Sequence, residues 1–173
     1  MGGALTKTLI QTIFPRPGSD AEIWGLYLPN GRQHFDHETH QHHIADHTKS
    51  NLMYKGVLHD RSRSVYHGMI TIEEGAGQSF SYQANHNLLL SNFARADSIP
   101  KMEIKTNDVR CKHGAAVGRL NEDEVYYLQT RGFSRKEAER LIVRGYLQPI
   151  LERIVNPRVR DALSATVLQR AKV

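Results

Sequence analysis

The chain has 173 residues, 39% of them hydrophobic and 24% charged, enough apolar material for the core of one domain or of one domain with an appendage. Its 23 basic and 18 acidic residues leave a net charge of +5, which permits an acidic partner, but the charges are interspersed and carry no RNA-recognition signature, so nothing points to nucleic acid. No run approaches the roughly 20 apolar residues of a membrane span, no signal-peptide pattern opens the chain, and a single cysteine, Cys111, excludes an internal disulfide and any paired-thiolate zinc site. A cytoplasmic location is expected.

Up to about Gly118 the sequence reads as strands. Runs rich in β-branched and aromatic residues, IWGLYL (23 to 28), NLMYKGVL (51 to 58), SVYHGMITI (64 to 72) and SFSYQ (79 to 83), alternate with polar or glycine-containing corners. Strands of about five residues are predicted, with Asn30-Gly31 forming a local hairpin or a sharp corner. Such a pattern fits a sandwich, a barrel or a parallel β-helix, and periodicity does not choose among them.

The histidine-rich run HFDHETHQHHIADH (34 to 47) falls among these strands. It offers imidazoles and carboxylates in plenty, and in a strand His40 and His42 would share a face. The glutamate and glycine that follow a cupin His-x-His pair are missing, so polar corners with incidental histidines are the expectation. Asn85, Asn87 and Asn107 are read as corner residues that bond neighbouring turns. Ser62 and Ser64 stand near His59 and His67 in sequence, without a nucleophile elbow or an ordered triad.

Beyond Gly118 the period becomes helical. Asn121 caps a first turn carrying Glu122, Asp123 and Glu124, and Gly132 ends that helix. Ser134 and Glu137 form a capping box opening a helix with Ala138, Leu141 and Ile142 inward, interrupted at Gly145. Leu147, Ile150, Leu151 and Ile154 repeat at helical spacing. Asn156 and Pro157 start a last helix with a stripe of Val159, Ala162, Leu163 and Val167. Three or four short helices are expected.

Cys111 and His113 are the candidate metal-binding pair. In a strand they lie on one face, about 7 Å apart along the backbone, where both can address one metal or one opposing surface. Glu103 and Asp108 are candidates to orient an imidazole from behind. No phosphate-binding loop is present, since Gly75-Ala76-Gly77-Gln78 lacks the Lys-Ser/Thr that reaches phosphate and magnesium, and no dinucleotide fingerprint occurs. No bound nucleotide is expected.

The order NHNLLLS (85 to 91), IPKMEI (99 to 104), NDVRCKHGAAVG (107 to 118) is far more specific than a Cys-x-His pair. It resembles the SufB/SufD family of iron–sulfur cluster assembly scaffolds, and within it SufD. The resemblance extends upstream through GLYLPNGRQH (25 to 34), His43, His47, YKGVL (54 to 58), SRSVYHG (62 to 68) and QANHN (83 to 87), and downstream through NEDEVYYLQTRG (121 to 132), from Met1 almost to the end. The SufB Glu-His-Glu motif is missing, and anchoring on Pro100 and Glu103 puts the functional SufB cysteine near Ala94, where no thiol stands.

The resemblance implies a mainly β fold: a right-handed parallel β-helix over residues 1 to 118, then a small α-helical subdomain over 119 to 173. Family members are usually longer, so this chain looks like a C-terminal portion with an uncapped first coil. The resemblance further implies a non-catalytic scaffold acting with a SufB-like paralogue and a SufC-like ATPase, in the cytoplasm or, in a eukaryote, the plastid stroma, although the chain has no transit peptide. His113 would ligate a transient iron–sulfur cluster shared with the partner across edge strands near 85 to 115, with Cys111 as a second candidate. The tail would dock the ATPase through residues 134 to 155, chiefly Leu141, Ile142, Tyr146, Leu147 and Ile150. The alternatives are a β-helical carbohydrate-active enzyme, which would need several acidic residues on one exposed strand face, and an independent histidine-rich metal-binding module.

Overall fold

The structure, a computed structural model, describes residues 3 to 170; Met1, Gly2 and residues 171 to 173 of the expected domain bounds lie outside it. Eight strands come first: β1 (Leu5–Phe14), β2 (Asp20–Tyr27), β3 (His34–His43), β4 (Lys49–Leu58), β5 (Arg63–Ile72), β6 (Ser79–Leu89), β7 (Arg95–Ile104) and β8 (Val109–Arg119). Odd strands form one parallel sheet in the order β1-β3-β5-β7, and even strands another in the order β2-β4-β6-β8. Each coil therefore gives one strand to each face, and about four turns make a parallel β-solenoid. Strands run 8 to 11 residues rather than about five. The extra length comes from polar residues such as Asn85 and Asn87, which read as corner material yet face the lumen.

Alternation explains the burial. Successive strand side chains point to opposite faces, so β4 sends Ser50, Leu52, Tyr54, Gly56 and Leu58 into the lumen, all buried. The apolar layer joins Leu52, Tyr54, Leu58 and Tyr66, and a second group joins Ile70, Ile72 and Ala76. Gly25 is inward because a β-carbon there would meet the Tyr54 ring at 2.7 Å; at Gly56 it would strike Tyr27 and Asn87. Glycine at these positions lets an aromatic ring cross the lumen.

The run from His34 to His43 is not a set of corners but the second strand of its sheet. Corners lie elsewhere: Gly31, at φ 58°, turns the chain from β2 into β3, which belong to different sheets, so Asn30-Gly31 makes a corner and no hairpin.

Three helices follow: α1 (Glu122–Thr130), α2 (Arg135–Leu151) and α3 (Pro157–Arg170). The caps are those the sequence predicts. Asn121 accepts from the Asp123 amide, Ser134 and Glu137 make the reciprocal box, Gly132 follows α1 at φ 93°, and Asn156 accepts from Arg158 and Val159. Gly145 does not interrupt α2, which continues past it through Pro149. Val143, Leu147 and Leu151 pack with Val57 and Leu88 on the outer face of the even-strand sheet, and this burial exceeds the roughly 1 kcal/mol that a helical glycine costs. The inward face of α2 is thus Ala138, Val143 and Leu147; Leu141 is 40% exposed and Ile142 only partly buried. In α3 only Val167 of the expected stripe is buried, because one sheet edge and α2 cover a single line of that helix.

Candidate functional site

The last coil presents its inward side chains at an open end. Register places Cys111 beside Ser81, His113 beside Gln83 and Ala115 beside Asn85. Those β6 residues are almost fully buried, whereas His113 is exposed, because no strand among the described residues stacks beyond β8. On the facing strand, Met102 and Ile104 continue the rows of Ile70 and Ile72 and are 41% and 42% exposed. One coil earlier the same rows are sealed.

Cys111 is half-buried against the Ile70–Ile72–Ala76 group, with its Sγ 3.3 Å from the Met102 Sδ. Burial pushes its thiol pKa up, which favours the protonated form in the absence of a cation. Strand alternation does put Cys111 and His113 on one face, with the imidazole the more accessible of the two. Among the described residues both β7 and β8 end their sheets, so each offers an edge of backbone donors and acceptors next to these side chains. Sequence reasoning missed Met102. Its signal is the inward parity it shares with Ile104 across a coil of known register.

Other candidates fall elsewhere. Glu103 points outward from β7 and bonds Lys105 at 3.4 Å, and Asp108 lies at the corner before β8. Ser62 donates to the His59 carbonyl and Ser64 faces the lumen, while His67 faces out, so no triad forms. Outward carboxylates do occur on the odd-strand sheet, but Lys7 holds Asp36, Arg63 holds Asp97 and Lys105 holds Glu103. Lys7 also reaches Glu38 at 4.0 Å, so among the described residues no pair of acids on that sheet stands free for glycoside chemistry.

The histidine run splits by parity. His40 and His42 face out and stack at 5.2 Å, with His40 Nε2 2.9 Å from Thr71 Oγ1 and His42 Nε2 2.9 Å from Glu73 Oε1. Burial, and then the neighbouring His42, lower the His40 pKa. His37 and His43 face in. His37 lies against Tyr27 and Tyr54; His43 stacks on Phe14 and bonds Thr48 and Ser50 through its two nitrogens. Among the described residues no group of three or more His, Cys, Asp or Glu side chains is placed to hold a metal. No helix among them is long and apolar enough to cross a membrane.

In the tail, Leu147 and Ile150 are 0% and 4% exposed, their side chains spent on this chain's own core. The Tyr146 carbonyl accepts from Lys55 Nζ at 2.7 Å, and its ring lies 4.6 Å from that nitrogen. Leu141 and Ile142 reach the surface beside α1, where Ile142 joins Tyr127 and Leu128 around a depression of about 420 Å³ edged by Asp123 and Glu124.

Fold and site together define a β-solenoid protein whose chemistry-bearing side chains sit on an open end coil rather than in a closed cleft. Residues 1–146 match the SufBD core domain of the SUF system for FeS cluster assembly, and the chain belongs to that family. It is 34% identical over 175 residues to an iron-sulfur cluster assembly SufBD family protein of Mycobacterium leprae, covering 96% of this chain and 45% of that protein. It is 28% identical over 170 residues to the iron-sulfur cluster assembly protein SufD of Escherichia coli, covering 98% and 40%, and 32% identical over 155 residues to SufD of Bacillus subtilis, covering 90% and 36%. The chain spans less than half the length of these curated relatives.

Proposed function

We propose that this chain forms part of a non-catalytic scaffold for iron–sulfur cluster assembly, in which His113 offers an imidazole to a cluster under construction. The observation that carries the reading is the exposure of His113 in an inward position, whereas Ser81, Gln83 and Asn85 one coil earlier are sealed. The cluster is cargo, so its ligands must release it. Mixed nitrogen and sulfur donors hold iron less firmly than four thiolates. With one cysteine in the chain, the remaining thiols come from a SufB-like paralogue, paired along the free edges of β7 and β8 in the cytoplasm. Cys111 stands beside the imidazole as a second donor once a metal displaces its proton.

A SufC-like ATPase supplies the energy, since this chain has no phosphate loop of its own. It docks on the tail through Leu141, Ile142 and the exposed part of Tyr146, while Leu147 and Ile150 hold α2 to the solenoid. Co-purification with the genomic SufB-like and SufC-like neighbours tests the whole assignment. Cluster loading, read from iron and sulfide content, should fall at least about tenfold in His113→Ala while the complex stays intact. Unchanged loading removes His113 as a ligand. If His40→Ala with His42→Ala abolishes metal binding instead, the histidine-rich module is the better reading.

A further inference from the structure

The tail covers only part of the even-strand sheet. Leu26, Val57 and Leu88 lie beneath α2 and α3, and Lys55 lies beneath Tyr146. Nearer the starts of the strands the outer face is open. There the register sets Lys49, Phe80 and Arg110 in one cross-strand row and Asn51, Tyr82 and Lys112 in the next. No outward position of β4, β6 or β8 carries a carboxylate. Lys49, Arg110 and Lys112 are exposed, and none makes an ion pair or side-chain hydrogen bond among the described residues. Phe80 is 38% exposed at the centre. Tyr82 leans across Gly114, where a β-carbon would lie 3.8 Å from its hydroxyl. A shallow depression of about 710 Å³ runs between Lys49, Phe80 and Arg110, with Asp108 on its rim; Asp20, beside Lys49 in register, bounds the patch on the β2 side.

We propose that this face docks an acidic segment of a partner protein, an apolar side chain seated on Phe80 and carboxylates against Lys49, Arg110 and Lys112. An apolar centre within a charged rim is the anatomy of a protein interface, where aromatic residues anchor and arginine is enriched. Three unpaired cations present the complementary charge. They would neutralise too few phosphates to hold a single nucleic-acid strand firmly at physiological salt, each contact contributing a slope of only about −0.7 in log affinity against log salt. Outward residues of β8 point away from His113, so this surface and the end coil stand or fall separately.

The test needs neither cluster nor paralogue. A fluorescent glutamate-rich peptide carrying two central leucines is titrated by anisotropy at low salt, beside its lysine counterpart and a short oligothymidine. The glutamate peptide should bind, and the combined Lys49→Glu, Arg110→Glu, Lys112→Glu variant should weaken it at least about tenfold. Phe80→Ser should weaken it about threefold at unchanged charge, and Lys112→Glu alone gives a milder variant should the triple one lose its circular-dichroism melt. Equal affinity for the lysine peptide, indifference to charge reversal, or tighter binding of the oligothymidine overturns the proposal.

Discussion

The middle coils and the last coil of the solenoid use the same inward positions to opposite ends. In the middle, polar residues are sealed and tied to one another: Thr48 to Ser79 and Ser50 to Ser81 at 2.8 Å each, Gln41 to Ser50 at 2.7 Å, and Asn87 to Asn85 at 2.8 Å. Asn85 also donates to the Tyr27 hydroxyl at 2.9 Å. A buried polar group costs free energy unless its partners are met. Stacking meets those of Thr48, Ser50, Ser79 and Ser81, while Gln41 Oε1, Gln83 Oε1 and both His37 nitrogens are buried without a hydrogen-bond partner among the described residues. In the last coil the rows continue through Cys111 and His113, and no strand among the described residues stacks above them. A side chain that would be structural one coil earlier is left free to bind. Position along the stack, more than residue type, decides which inward side chains reach solvent.

Truncating the two rows should expose this difference most strongly. Leu52 is completely buried, and Leu52→Ala should cost about 2–5 kcal/mol through lost transfer energy and a residual cavity. Val117, on an inward row but 47% exposed, should tolerate alanine within about 0.5 kcal/mol. Urea denaturation of both variants checks the contrast, and equal losses would mean that the end coil is covered in solution.

Acid should distinguish the same regions. Burial, and then the adjacent His42, hold the His43 pKa down at about 4 against an ordinary 6.5. Between those values the unfolded chain binds the proton and the folded chain does not. Stability is therefore fully present above pH 6.5 and is lost as pH falls toward 4, by on the order of 3 kcal/mol from this group alone. His37, lowered in the same direction by burial, adds to the trend. The slope of stability against pH should flatten in His43→Gln, whatever that change does to stability at neutral pH. A slope unchanged by the substitution would place the acid-sensitive group elsewhere.

Much of this was legible in the residues, for physical reasons that also mark the limit. Helix caps depend on a few adjacent residues, so Asn121, Ser134 with Glu137, and Asn156 are visible locally. Strand existence follows from β-branched runs such as 64 to 72. The lumen ladder does not, because Ser50 and Ser81, or Gln41 and Ser50, meet only when coils stack in register. Polar inward residues therefore read as corners in sequence alone, which hides β3 and the second half of β6. The same holds for the basic face, since Lys49, Phe80 and Arg110 are scattered along the chain and adjacent only across strands. Gly145 looked like a helix end because local propensity carries no knowledge of the sheet that holds α2 in place. The family resemblance supplied the stacking that composition and periodicity left open among three β architectures.

The smallest effect is the one that best isolates the site. The His113 side chain is exposed and makes no hydrogen bond or ion pair among the described residues, so His113→Ala, which keeps the backbone ladder, should shift stability by no more than about 0.5 kcal/mol while removing the proposed imidazole ligand. Its buried neighbour in register, Gln83, is 1% exposed and lies against Gly68, so Gln83→Ala should open a void and destabilise the fold several times more. Read together, the two substitutions separate ligation from folding on a single row. Loss of cluster loading with unchanged stability at His113 assigns it to the site, whereas a joint loss of both would return it to the framework of the solenoid.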